Sequence, residues 1–291
     1  MTTLNEGSRI DSHTELYGVI GDPIRHSKSP IMMNRAFRET GINGVYAAFH
    51  VTGGRVADFA AGVRAMGIRG VNVTIPHKLD IMGVIDEIDA GAQAIGAVNT
   101  IVNDDGRLIG YNTDGIGYVR SLKEEAAEEG LSGKRIVVVG AGGAARGIVY
   151  ALAGERPGRI TIANRSVERA QELAKAFRDK ADIEAVSNEL LQAACRDADI
   201  VINTTSVGMH PNVEESPVDA AWLREGAVAS DLIYNPLKTA FLRQAERRGC
   251  RAHGGLGMFI YQGAYAFEYW TGRPAPVAAM RETVLASLRS S

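Results

Sequence analysis

Residues 135–146, Arg-Ile-Val-Val-Val-Gly-Ala-Gly-Gly-Ala-Ala-Arg, constrain the fold more than any other stretch of the chain. The run of isoleucine and valine reads as a buried strand, the glycines at 140, 142 and 143 as a tight turn, and the alanines after them as a helix start. The spacing is G-x-G-x-x-A across Gly140, Gly142 and Ala145, with Gly143 and Ala144 between. Such a turn lets backbone N–H groups at a helix N-terminus approach a pyrophosphate, which is the dinucleotide-binding fingerprint. A βα turn with no ligand could use the same glycines. The strand before this one, the helix after it and a further strand about 20 residues on supply the context that a binding turn requires.

The end of that further strand decides which dinucleotide is expected. NAD sites usually place Asp or Glu there to accept from the ribose 2′-hydroxyl. This chain has Ala163-Asn164-Arg165-Ser166, with Arg169 one helical turn on. Two guanidiniums suit a 2′-phosphate, which they pair in bidentate fashion, and a carboxylate would repel it. The expectation is NADP(H). The alternative is that Ser166 only caps a helix and both arginines are surface charges.

At 291 residues the chain is too long for one average core, so two domains are expected. Strands over 16–21, 45–49 and 70–74 alternate with helices over 30–40 and 54–66, which predicts a parallel sheet covered on both faces. Asp104-Asp105-Gly106-Arg107 has hairpin chemistry between strands over 97–103 and 108–111. A helix follows from about 114 into the acidic run Lys123–Glu129, which reads as a solvated face. The strand at 135–140 opens a second alternating series, continued over 159–163, 182–186, 199–203 and 227–231. Two helical segments near 258–270 and 276–288 close the chain without strands of their own, so they must pack on an existing layer. The fold class is therefore α/β, a first α/β domain plus a Rossmann-type domain. The first would comprise 1–113 completed by 257–291, the second 114–256. Residues 1–14 are polar and unpatterned and read as a frayed tail.

Composition excludes several function classes. A net charge of −2 gives no basic footprint for nucleic acid or anionic membranes. Cys195 and Cys250 lie far apart, without neighbours at metal-ligand spacing, so neither zinc nor a disulfide framework is expected. No apolar run approaches the roughly 20 residues that span a bilayer, and the N-terminus lacks a secretory pattern. The expectation is a cytoplasmic protein with no metal.

The remaining polar motifs sit at element ends. Asn72-Val-Thr74-Ile-Pro76-His-Lys78 runs an apolar strand into a proline and presents a lysine beside a hydroxyl and an amide. Taken alone, Lys78 reads as a solvated surface charge. In His26-Ser27-Lys28-Ser29-Pro30, Pro30 fits the first position of a helix and Ser29 its N-cap, which leaves Ser27 unexplained. Two hydroxyls at a helix start also suit a carboxylate ligand. Asn99 and Asp114 follow in Ala-Val-Asn-Thr and Tyr-Asn-Thr-Asp-Gly, and Asp114 in isolation reads as a helix cap.

These motifs, with Asn-Arg-Ser at 164–166, Asn-Thr-Thr-Ser-Val-Gly-Met at 203–209, Tyr-Asn-Pro at 234–236 and Gly-Leu-Gly-Met-x-x-x-Gln-Gly-Ala at 255–264, occur in one order. From about Tyr17 to Trp270 the chain resembles the shikimate dehydrogenases. The resemblance implies reversible NADPH-dependent reduction of 3-dehydroshikimate to shikimate, in aromatic amino acid biosynthesis. It implies Lys78 and Asp114 as the catalytic pair. Ser27, Ser29 and Tyr234 would surround the substrate carboxylate, and Thr74, Asn99 and Gln262 would bind ring hydroxyls. Gly140, Gly142, Gly143, Ala144, Ala145, Asn164, Arg165, Ser166 and Arg169 would hold NADP(H), with Gly255 and Met258 against the nicotinamide. It also implies that the last helices rejoin the first domain and that substrate binds in a cleft between domains. Other readings are an NAD-dependent quinate/shikimate dehydrogenase, a paralogue acting on an amino analogue, or a non-catalytic nucleotide-sensing module. Phosphate-loop hydrolysis is disfavoured because 140–146 lacks the Gly-Lys-Ser/Thr ending. A monomer and a homodimer are both compatible with the sequence.

Overall fold

The computed structural model describes residues 10–127 and 130–290. Residues 1–9 of the expected tail, and Glu128 and Glu129 of the acidic run, lie outside the described residues. The chain forms two compact units. One comprises the chain up to Thr113 together with the chain from Gly263; the other is Asp114–Gln262.

The first unit contains β1 (Glu15–Gly21), α1 (Ser29–Thr40), β2 (Gly44–His50), α2 (Val56–Met66), β3 (Gly70–Val73), β4 (Glu87–Ile88), α3 (Ala90–Ile95), β5 (Thr100–Asp104) and β6 (Arg107–Tyr111). Its six strands run in the order β2-β1-β3-β5-β6-β4. The expected parallel pairing holds for β2, β1 and β3. The rest of the sheet is mixed, because β5 runs antiparallel to both β3 and β6. The cause is local. Asp105 and Gly106 both adopt positive φ, 46° and 96°, as a two-residue hairpin turn demands, and Asp104 pairs with Arg107 across it.

One face of this sheet packs an aliphatic core that includes Ile20, Val63, Val71, Ile101 and Leu108. On the other, Tyr17 meets Phe37 and Trp270, with ring centroids 4.7 and 5.4 Å apart, and Phe37 meets Phe267 at 5.6 Å. A Cβ on Gly70 would overlap the Trp270 indole, whose Nε1 donates to the Ile101 carbonyl at 2.8 Å. The strand is thus glycine where the tryptophan crosses it.

The second unit contains α4 (Asp114–Glu125), β7 (Arg135–Val139), α5 (Gly143–Ala153), β8 (Arg159–Asn164), α6 (Val167–Phe177), β9 (Ile183–Ser187), α7 (Leu191–Arg196), β10 (Ile200–Asn203), β11 (Val228–Asp231), α8 (Ala240–Arg247) and β12 (Arg251–His253). Its sheet is parallel throughout, in the order β12-β11-β10-β7-β8-β9, two mononucleotide-binding halves about β7. The α4, α5 and α6 side buries Leu122, Ile148, Leu152 and Phe177. The α7 and α8 side buries Leu191, Cys195, Phe241 and Leu242. Both cysteines are free, and burial pushes the Cys195 thiol up to about 12. Sequence pattern missed β12, whose three residues are too few to show an alternation.

The last helices are α9 (Leu256–Thr271) and α10 (Val277–Arg289). The units part at 262/263 inside α9; the expected boundary at 256/257 is the start of that helix. Helix α10 packs against α1 in the first unit. Among the described residues no helix is long and apolar enough to cross a membrane, and no group of three or more His, Cys, Asp or Glu is placed to hold a metal ion.

Candidate functional site

The predicted residues fall in both units: Ser27, Ser29, Thr74, Lys78 and Asn99 in the first, Asp114, Tyr234, Gln262 and the cofactor set in the second.

In the first unit the chain leaves β3 and turns at once. Thr74 N–H donates to the Ile20 carbonyl at 3.0 Å, and the Thr74 carbonyl accepts from His77 N–H at 3.0 Å. His77 is fully buried, and its Nε2–H donates to the Val51 carbonyl at 2.6 Å. That bond fixes the tautomer, because a carbonyl can only accept. Lys78 follows, half-buried between exposed Ile75 and Leu79, with its carbonyl accepting from Val98 N–H at 2.9 Å. The buried histidine on one side and the Val98 bond on the other hold the lysine backbone.

The roles expected of the two serines are exchanged. Helix α1 begins at Ser29 itself, Pro30 occupies its second position, and no side chain caps it. Ser27 is the residue with a local structural role: its Oγ accepts from Ser29 N–H at 3.2 Å, a serine turn into the helix. Buried Ser29 instead hydrogen-bonds the hydroxyl of Tyr46.

From there a buried polar chain crosses the sheet. The Tyr46 hydroxyl donates to Asn72 Oδ1 at 2.7 Å, and Asn72 Nδ2 donates to Thr100 Oγ1 at 3.1 Å. Thr100 Oγ1 donates to Asn99 Oδ1 at 3.0 Å, and Asn99 Nδ2 donates to Thr113 Oγ1 at 3.0 Å. Asn99 Oδ1 also accepts from Thr113 N–H at 2.8 Å. Two predicted ligands, Ser29 and Asn99, are therefore members of one network that runs on to Thr113. Of its middle members, Asn72 was noted from sequence only as an amide beside Lys78, and Tyr46 and Thr100 were given no role. The available signal was an asparagine in the middle of an otherwise apolar strand.

In the second unit the glycines of the turn divide into two kinds. Gly140 has φ of +110°, and a Cβ there would meet Thr204 Oγ1 at 2.6 Å. The chain's own geometry requires it to be glycine. Gly142 lies at the N-cap of α5 in extended conformation and Gly143 begins the helix; a Cβ on either would meet no protein atom within 4 Å. Nothing in the folded chain requires these two to be glycine, and the space before them is open to a ligand.

At the end of β8, Asn164 Nδ2 donates to the Ser166 carbonyl at 2.8 Å and shapes the turn. Ser166 occupies the N-cap position of α6 but makes no capping bond; its hydroxyl donates to Glu168 at 2.8 Å. Arg165 and Arg169 are exposed, and neither has an ion-pair partner among the described residues. Two unengaged guanidiniums with no carboxylate at the strand end fit an adenosine 2′-phosphate.

Gly255 has a structural explanation of its own, since a Cβ there would overlap the Leu232 carbonyl. Met258 is half-buried against the core beneath α4 and α5. Tyr234 is half-buried and stacks on Phe259 at 4.8 Å, and burial raises its hydroxyl pKa. Gln262 Nε2 donates to the Phe259 carbonyl at 2.8 Å. Asp114 is the first residue of α4, a first-turn acid rather than the N-cap expected of it.

Comparison with known proteins gives one family. Residues 19–101 match the shikimate dehydrogenase substrate binding domain, 121–231 the shikimate/quinate 5-dehydrogenase domain, and 255–285 the shikimate 5′-dehydrogenase C-terminal domain. The chain is 52% identical over 277 residues to an NADP(+) shikimate dehydrogenase of Geobacillus kaustophilus, covering 94% of this chain and 99% of that one. Among solved structures, a shikimate dehydrogenase in complex with NADP+ is 44% identical with a TM-score of 0.90, covering 97% and 99% of the two chains. The Listeria monocytogenes shikimate 5-dehydrogenase, solved with shikimate and NAD, is 40% identical with a TM-score of 0.90, covering 95% and 98%.

Proposed function

The chain belongs to the shikimate dehydrogenase family, and we propose that it catalyses the reversible NADPH-dependent reduction of 3-dehydroshikimate to shikimate. The observation that carries the cofactor choice is the pairing of two ligand-facing glycines, Gly142 and Gly143, with the unengaged Arg165 and Arg169. When bound, the nicotinamide supplies the hydride. The chain must hold the carbonyl and move one proton.

On this reading Lys78 donates a proton to the substrate oxygen and stabilises the charge developing on it. Its backbone is held by the His77 and Val98 bonds, which supports this reading by fixing the point from which the side chain departs. A carboxylate at Asp114 acts as the second member of the pair and favours the charged lysine. Ser27, Ser29 and Tyr234 receive the substrate carboxylate, and Thr74, Asn99 and Gln262 its ring hydroxyls. The buried network supports the reading for Ser29 and Asn99, because it holds both against reorientation. Gly140, Ala144, Ala145, Asn164 and Ser166 shape the cofactor turn, and Gly255 and Met258 face the nicotinamide. The protein acts on a small molecule in the cytoplasm, as monomer or homodimer, without a nucleic-acid or membrane partner.

The test is initial rates with NADP and NAD against shikimate and quinate. NADP with shikimate is expected to be fastest, and a preference for NAD of about tenfold or more sinks the cofactor assignment. Lys78→Ala should lower kcat by about three orders of magnitude and leave NADPH affinity intact. An equal loss of cofactor affinity would make Lys78 structural.

A further inference from the structure

Asp231 ends β11 and is fully buried, yet no ion pair compensates it among the described residues. Its carboxylate instead gathers three donors from three segments of chain. Oδ1 accepts from Ile233 N–H at 3.0 Å and from Asn203 Nδ2 at 3.1 Å. Oδ2 accepts from the Thr239 hydroxyl at 2.7 Å. Each donor controls a different piece of the unit. Asn203 ends β10 and organises the loop after it: its Nδ2 also donates to the Val207 carbonyl at 3.1 Å, and its Oδ1 accepts from Thr205 N–H and hydroxyl at 2.9 and 2.7 Å. Thr239 caps α8, accepting from Leu242 N–H at 3.4 Å. Ile233 N–H belongs to the residue before Tyr234.

The two loops joined here carry Met209, Tyr234 and Leu237 at or near the surface, and neither loop has secondary structure of its own between residues 204 and 209 or 232 and 238. A loop without ladder bonds keeps its shape through side-chain bonds to its backbone. Ser230, the preceding strand residue, is satisfied separately by the Tyr118 hydroxyl and His253 Nδ1, each at 2.8 Å. Those two groups are the titratable neighbours on this edge, and neither bonds Asp231.

We infer that Asp231 is a positioning residue for substrate binding: it fixes the Tyr234 backbone through Ile233 and locks that loop to the 203–209 loop through Asn203. Burying an unpaired carboxylate is expensive, and a stable core alone would be better served by an apolar side chain there. The arrangement makes sense where loop geometry matters more than stability. The inference rests on the reading that Tyr234 meets the substrate carboxylate.

Its test is a double-mutant cycle on the full-length enzyme, read as shikimate KM and kcat. Tyr234→Phe and Asp231→Ala should each raise KM about tenfold with little change in kcat, and in the Asp231→Ala background Tyr234→Phe should add less than about twofold. Asp231→Asn can accept at Oδ1 and donate to Thr239 Oγ1, so it should bring KM back to within about threefold of wild type. Additive KM effects in the cycle would overturn the positioning role while leaving the Tyr234 assignment standing. A Tyr234→Phe enzyme with unchanged KM would overturn the Tyr234 assignment and, with it, this inference. Should Asp231→Ala not fold, Thr239→Val carries the same cycle with a smaller first effect, and additivity there counts equally against the role.

Discussion

The two sheets of this protein each have six strands; β11 and β12 of the second bury Ser230, Asp231 and His253, but the candidate site draws on the two sheets differently. In the second unit β7, β8 and β10 are apolar along nearly their whole buried length, and the chemistry lies beyond their ends, in the glycine turn, the 164–169 turn and the loops after β10 and β11. In the first unit the polar groups are inside the sheet: Asn72 lies within β3 and Thr100 opens β5, joined to Tyr46 of β2 and to Asn99 beside β5. A site built on loops can change without touching the core. A site built into the core couples binding to stability. Four changes of sequence test how far that contrast holds.

The largest effect is expected at Asn72. Replacement by leucine keeps the branching of the side chain but takes away the acceptor for the Tyr46 hydroxyl and a donor to Thr100, and each buried group left short costs about 1–3 kcal/mol. Asn72→Leu should lose about 3 kcal/mol in urea unfolding and also weaken shikimate binding. A variant that loses stability and binds shikimate as wild type would separate the two properties and break the comparison.

Asp231 supplies the matching case in the second unit. Burial pushes its carboxyl up to about 6 from an ordinary 3.8. The native state therefore holds the proton more tightly than the unfolded chain. Its contribution to stability is fully present below about pH 4 and is lost as pH rises through about 6. Asn has no such loss. Between pH 4 and 7 the stability of Asp231→Asn should gain on wild type by about 3 kcal/mol at full extent, at 1.4 kcal/mol per unit. Urea midpoints across that range read it directly. Wild type gaining on the variant as pH rises would mean that the carboxylate is stabilised in its ionised form.

The cofactor turn should behave differently from both, since its charges are exposed. Replacing Arg165 and Arg169 together by alanine should reduce the preference for NADP over NAD by about 2 kcal/mol, roughly thirtyfold, without lowering the thermal midpoint. Equal losses with NADP and NAD would place the arginines elsewhere than at the 2′-phosphate.

The contrast between the sheets also explains what could be read from sequence. The second unit was legible because its signals are local: a β-branched run, then glycines, then a helix start, all within residues 135–146. The hairpin at Asp105-Gly106 was equally plain, and it is the reason the first sheet is mixed, a consequence the alternation of strands and helices did not convey. The network from Ser29 to Thr113 was hidden because its members are up to 84 positions apart in number and meet only when β2, β3 and β5 are brought into one sheet, with β1 between β2 and β3. The serine pair shows a subtler limit. Pro30 marks the helix start, but proline is compatible with more than one early position, so a shift of one residue moved the local structural role from Ser29 to Ser27.

The smallest expected change concerns Gly142, and it tests the idea that loop sites change without touching the core. Its φ of −88° and ψ of −171° suit any residue, and a Cβ would meet no protein atom within 4 Å. Alanine removes backbone freedom from the unfolded chain, so Gly142→Ala should be neutral or slightly stabilising, by about 0.5 kcal/mol. The same methyl group lies where a pyrophosphate must come close to the backbone, and NADPH affinity should fall about tenfold, or 1.4 kcal/mol. The two signs are opposed, which packing alone cannot produce. Thermal unfolding without ligand and an NADPH titration on the same sample measure both. If Gly142→Ala lost stability while NADPH binding held, glycine would be there for the chain's sake, and this turn would differ from the first unit's network in position only.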